Sequence, residues 1–228
     1  MTSTQATATA SHGSDDITIK CMRHILLQLT LILTLAGNAQ SIAEGDLAFV
    51  VSQHENAITQ VTQGINNLAI DHVAIMHRIG GEDGPLYAIE AYPRHGVCLT
   101  PIDSLLQRDG TGSVIFARVN NVDARKSVTQ ALTHVGKPYD SYFMPDDNEI
   151  YCSELVEKCY VGTDGCKIFQ TIPMSFHDTT GNITEYWTKH YAARGLEVPE
   201  GAPGTNPGQI SRDANVTFLN IDNKQITQ

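Results

Sequence analysis

The sequence predicts an α+β fold in which an antiparallel sheet is packed by helices. Short β-rich runs fall in pairs around Gly-containing turns, the pattern of hairpins. Helical segments are present, but the strands cluster instead of alternating with them, which argues against a doubly wound sheet. The length, 228 residues, suits a single core better than two full domains.

At the N-terminus, residues 2–16 are small and polar and cannot bury a core, so they read as a disordered extension. Lys20 and Arg23 then precede a twelve-residue apolar run, 25–36, too short for a membrane span of about twenty residues. Gly37-Asn38-Ala39 follows, with small residues at its first and third places. Basic flank, short apolar run and small-residue end make a secretory signal cleaved after Ala39. Met22 opens that signal, so residues 1–21 read as an upstream extension. The expected organisation is therefore residues 1–39 as extension plus signal, and residues 40–228 as one exported, periplasmic or extracellular domain.

Within that domain, residues 47–51 follow a Gly45-Asp46 turn as a first strand. Ile58 and Val61 are spaced for a short helix over 54–63. Residues 72–79 and 86–91 form a hairpin around Gly80-Gly81 and Gly84-Pro85. If residues 78–86 are the turn, facing positions sum to about 164. Residues 96–99 are a third strand of this series. Thr100-Pro101-Ile102-Asp103 reads as an N-cap, a Pro at the first helical position and a capping-box acid, with the helix ending near Arg108. Residues 113–119 are another strand. Asn121 is expected to cap a helix running to Val135, with Val128, Ala131, Leu132 and Val135 inward and Gly136 as its stop. A second helix starts at about Cys152, with Leu155, Val156, Cys159 and Tyr160 inward. Residues 183–193 read as helical, and 199–207 as a wrapped loop.

Charge and motifs exclude several kinds of chemistry. With 15 Lys+Arg against 25 Asp+Glu, the net charge is −10, which repels phosphate backbones and argues against nucleic-acid binding. His72 and His77 are five apart in one strand and point to opposite faces, and Cys159 and Cys166 lack zinc-knuckle spacing, so no metal is expected. No G-x-S-x-G elbow occurs, and no Gly-rich cofactor loop.

Cys152 is the candidate nucleophile. It begins a helix, where the positive end of the dipole favours a thiolate. Such a thiol needs a base and a group that orients the base. His72, near the start of its strand, can supply the base. Its expected partner position, about 92, lies within a register step of Glu90. Glu90 is embedded in Ala88-Ile89-Glu90-Ala91, where a lone carboxylate is costly and wants a cationic or donor partner.

Four segments, Glu44-Gly45-Asp46-Leu47-Ala48-Phe49, Asp71-His72-Val73-Ala74-Ile75, Tyr87-Ala88-Ile89-Glu90-Ala91 and Tyr151-Cys152-Ser153-Glu154-Leu155, together resemble the permuted papain-like amidases. These are the YiiX/YaeF-like branch of the NlpC-type cysteine hydrolases. Gly136-Lys137-Pro138-Tyr139-Asp140, Phe143 and the tail 187–207 resemble the same branch, so the likeness covers almost all of 44–210. His precedes Cys, the reverse of ordinary papain-like enzymes and the mark of the permutation.

The resemblance implies Cys152 as nucleophile, His72 as base and Glu90 as its orienter, in hydrolysis of an amide, ester or thioester through an acyl-enzyme without a cofactor. It implies a cell-wall peptide or an acyl-lipid as substrate, the latter bringing the protein close to a membrane. Tyr139 and Tyr151 are expected to line the substrate cleft. A catalytically silent lipid- or peptide-binding module, or an acyltransferase, are the alternatives on the same fold. Cys159 and Cys166 lie outside the family pattern; in an oxidising compartment they could form a disulfide, the alternative being two buried free thiols.

Overall fold

The computed structural model of the protein describes residues 40–221. The expected extension and export signal, 1–39, lie outside the described residues. In chain order the elements are β1 (Leu47–Ser52), a short 3₁₀ turn (Ile65–Asn67), β2 (Ile70–Arg78), β3 (Leu86–Tyr92), β4 (Gly96–Pro101) and α1 (Ile102–Leu106). They continue with β5 (Thr111–Val119), α2 (Ala124–Leu132), α3 (Cys152–Cys159), β6 (Ile172–Pro173), α4 (Glu185–Ala192), β7 (Pro203–Gly204), α5 (Pro207–Ser211) and β8 (Val216–Phe218).

Six strands form one sheet in the order β4-β3-β2-β1-β5-β8, antiparallel at every neighbour, so the predicted α+β class is the observed one. Strand alternation builds a core on each face of this sheet. Leu47, Phe49, Val73, Ile75, Ile89 and Ala91 pack against α2 and α3 through Val128, Ala131, Leu155 and Val156. Ala48, Val50, Ala74, Met76 and Ala88 pack with Ile102 and Leu105 of α1. The β2–β3 hairpin has the expected register, Ile75 facing Ile89 and Met76 facing Ala88. Its paired rungs stop at Ile75–Ile89, and His72 and Glu90 lie beyond that last pair.

Four segments differ from the sequence expectation. Residues 54–63 make turns instead of a helix, because the Asn56 side chain takes over the local bonding. Its Oδ1 accepts from the Ile58 and Thr59 amides, and its Nδ2 reaches Asp71 and Ser52. Thr100 stays in β4 and does not cap α1; its hydroxyl donates to Glu90 instead. Helix α2 starts two residues later than expected, capped by Asp123, whose Oδ1 accepts from Lys126 N–H at 3.1 Å. Asn121 sits at φ 61° and stays in the turn before it, while Val135, beyond the helix end, is exposed. The expected loop at 199–207 contains β7, which pairs with β6, and Asn206, which caps α5 ahead of Pro207.

The edge beyond β4 is covered by the Gly136–Asp140 segment. Val97 N–H donates to Lys137 O and Gly136 N–H to Val97 O. Gly96 makes this approach possible: it has φ +66°, and a Cβ there would lie 2.1 Å from Lys137 O. The segment ends in Tyr139 and Asp140; Asp140 accepts the amides of Tyr142 and Met144 and folds the chain back. Glu44 and Asp46 are likewise structural. Asp46, almost fully buried, takes two bonds from Arg118, and Glu44 accepts from Arg78 N–H and bonds His77 Nδ1.

Candidate active site

Cys152 is the first residue of α3, whose buried inner face packs on β2 and β3. The helix start is fixed by Glu154, whose carboxylate accepts Tyr151 N–H at 3.3 Å and pairs with Lys158. Burial pushes the Glu154 carboxyl up to about 7 despite that lysine. Cys152 is 5% exposed and is brought against the His72 imidazole near the start of β2.

On its far side the imidazole meets Glu90, with His72 Nε2 2.5 Å from Glu90 Oε2. This leaves Nδ1 as the ring nitrogen for the thiol. Burial alone would lower the His72 pKa, but hydrogen bonding to Cys152 and Glu90 and the charges on both outweigh it and raise it to about 10. Burial would likewise raise the Glu90 carboxyl, which is fully inaccessible. The His72 and Arg108 contacts reverse this and hold it far below the usual carboxylate range.

Arg108, Thr100 and Tyr92 complete this arrangement, and sequence reasoning missed all three. Arg108 donates to both Glu90 oxygens, at 3.0 Å from Nη1 and 2.5 Å from Nη2, and the Thr100 hydroxyl donates at 2.5 Å. The Arg108 guanidinium also lies 3.8 Å from the Tyr92 ring centre, and that ring meets His72 edge-on at 5.9 Å. The available signal was Glu90 itself. A buried carboxylate offers about four acceptor sites, and one imidazole fills only one of them.

Tyr139 lies beside Cys152 at the waist of the cleft, its hydroxyl pKa pushed well up by burial and by the neighbouring Cys152. Tyr151 is buried. Its hydroxyl accepts Thr205 N–H at 3.0 Å, and its ring packs edge-on against Phe143 at 5.0 Å. Both tyrosines border the site; only Tyr151 has its hydroxyl tied to the backbone of another segment. Among the described residues the other cysteines, Cys98, Cys159 and Cys166, are free, and Cys159 is buried while Cys166 is exposed.

The site thus combines a cysteine at a helix N-terminus with a His and a Glu from adjacent antiparallel strands, the His earlier in the chain than the Cys. That is the layout of a permuted papain-like protein. The chain belongs to the permuted papain-like amidase family: the model of the "Permuted papain-like amidase enzyme, YaeF/YiiX, C92 family" matches residues 41–220.

The chain is similar to the uncharacterized protein YiiX of Escherichia coli strain K12, at 26% identity over 151 residues, 64% of this chain and 71% of that one. Its fold is similar to the crystal structure of the metalloprotein YiiX of Escherichia coli O157:H7. The TM-score is 0.65 at 21% identity, covering 80% of this chain and 99% of that one. Among the described residues of the present chain, no three His, Cys, Asp or Glu side chains gather in a set that could hold a metal ion.

Proposed function

We propose that the protein is an exported cysteine hydrolase that cleaves an amide, or the related ester or thioester, through an acyl-enzyme on Cys152. The observation that carries this reading is the His72 imidazole, held between Cys152 on one side and the Arg108-anchored Glu90 on the other. Family membership supports the reaction class. Export is inferred from the apolar run and small-residue end of the leader sequence.

The roles follow from the geometry. His72 holds the proton as an imidazolium beside Cys152, and Glu90 stabilises it and orients the ring through Nε2. Sγ attacks the carbonyl carbon. The first amides of α3 have no partners within the helix and stand next to the nucleophile, where they can stabilise the oxyanion. His72 returns its proton to the leaving atom, then accepts one from the water that hydrolyses the thioester.

The substrate is a cell-wall peptide or an acyl-lipid. Incubating purified protein with muropeptides, N-acyl amides and acyl-lipids, with product analysis by mass spectrometry, tests the proposal. Product release from at least one class, abolished by Cys152→Ala, is the expected result. Release that persists in Cys152→Ala contradicts the assignment.

A further inference from the structure

We propose that the substrate is divided at the scissile bond into a small apolar acyl group and a larger leaving group. This deepens the acyl-enzyme reading above, rests on it, and sets aside a long-chain acyl group as the half that stays on Cys152. Two hollows meet at the Cys152–His72 pair. One, a cleft of about 590 Å³, opens on the His72 side past Tyr92 and Arg108. The other, a slot of about 60 Å³, lies on the Cys152 side over Ile58, Val61, Met174 and Phe176. Ile58, Asp71, Tyr139, Phe143 and Trp187 border both and form the waist between them.

The proton path decides which half of the substrate goes where. Sγ of Cys152 forms a bond to the carbonyl carbon, and the bond from that carbon to the leaving nitrogen or oxygen breaks. The leaving atom takes the proton held by His72, so it must face the imidazole, and the group it carries must lie in the larger cleft. The acyl group stays on Sγ and occupies the other side, the slot. Water then adds to the thioester carbon and gives its proton to His72. The C–S bond breaks, and the sulfur departs as thiolate while the acyl group leaves as the carboxylic acid.

The slot's dimensions and lining set the acyl class. An apolar cavity of about 150 Å³ accommodates benzene, so about 60 Å³ suits roughly two to four carbons. Several polar groups along one wall are already engaged. Tyr151 Oη accepts Thr205 N–H, Thr205 Oγ1 donates to Ser153 Oγ at 3.1 Å, and Asn206 Oδ1 accepts Gln209 N–H. The floor is tied into an aromatic cluster, with Phe143–Trp187 at 5.7 Å and Phe176–Trp187 at 5.2 Å between ring centres. Such packing resists the entry of extra methylenes. The cleft is roomier and mixed in character, with His54, Glu55, Asp109 and His190 beside Val50 and Pro93, so it suits a large amine or alcohol with both polar and apolar parts.

The test is rapid-quench intact-protein mass spectrometry of Cys152 acylation by 4-nitrophenyl esters from acetyl to decanoyl. Each rate is normalised to the same ester reacting with N-acetylcysteine. The expected profile peaks between acetyl and butyryl and falls at least tenfold by octanoyl. Met174→Ala and, separately, Val61→Ala should shift the peak toward longer chains. A flat profile, or one that rises with chain length, overturns the inference while leaving the acyl-enzyme reading intact. Absence of any Cys152 adduct with every ester overturns that reading, and the inference with it.

Discussion

Arg108 grips both carboxylate oxygens of Glu90, at 3.0 Å and 2.5 Å, and so anchors the group that anchors His72. Glu90 has no solvent access and would be a buried, half-satisfied charge with His72 alone. Arg108 comes from the chain just past α1 and Glu90 from β3, so the bond also ties the site to the α1 side of the sheet.

Arg108 is therefore a positioning residue with three measurable signatures. Arg108→Met strands a buried carboxylate and should lower stability by about 3–5 kcal/mol, read by chemical denaturation. Arg108→Lys keeps the charge but not the two-point grip, and should lower kcat/KM by about 10- to 100-fold, mostly in kcat. In Arg108→Met the imidazolium no longer shares Glu90 with a second cation. The alkaline limb of the pH profile should therefore move upward. Lower activity with an unmoved limb would reduce Arg108 to a prop of the fold.

Removing His72 takes away the base, and His72→Ala should cost about 10²- to 10⁴-fold or more in kcat/KM. Glu90→Gln keeps an acceptor of similar shape without the charge and should cost less. Because both residues serve one proton transfer, the double variant should lose far less than the product of the two. Additive losses in the double-mutant cycle would detach Glu90 from His72.

The cysteines should separate cleanly. Cys152→Ala should abolish turnover. Cys98→Ser, Cys159→Ser and Cys166→Ser should leave appreciable turnover, with Cys159→Ser the least stable of these because that thiol is buried in the core and its pKa is pushed by burial up to about 12. Full activity in Cys152→Ala would remove the nucleophile assignment.

Stability should carry the pH signature of His72. Its pKa rises from 6.5 to about 10 on folding, so the folded state binds this proton more tightly than the unfolded state. The contribution is complete below about pH 6.5 and is lost as pH rises toward 10. The Tm difference between the native chain and His72→Gln should change in that window, in the direction of lost native stability at high pH. A difference constant from pH 6 to 10 would contradict the buried imidazolium.

The hairpin and the three residues it helps to assemble were legible in the sequence because their information is local. The Gly80-Gly81 and Gly84-Pro85 turn fixes which positions face one another, and facing positions sum to 164 as expected. The apolar setting of Glu90 required a partner, and the start of a buried-faced helix located Cys152. Arg108 and Thr100 were not legible, since their contacts with Glu90 depend on how β4 and α1 fold back against β3. The same holds for residues 54–63. Helical spacing there is overridden by Asn56, which bonds Asp71 fifteen residues on. The three-residue β8 closes the far edge of the sheet with too short an apolar run to announce itself.

Iodoacetamide alkylation of Cys152, followed site by site by mass spectrometry at pH 7, tests the central pairing of Cys152 with His72 most directly. The account predicts that Cys152, although buried, is alkylated at least tenfold faster than the exposed Cys166, and that His72→Ala removes this advantage. Cys152 labelling no faster than Cys166, or at a rate indifferent to His72→Ala, would contradict it.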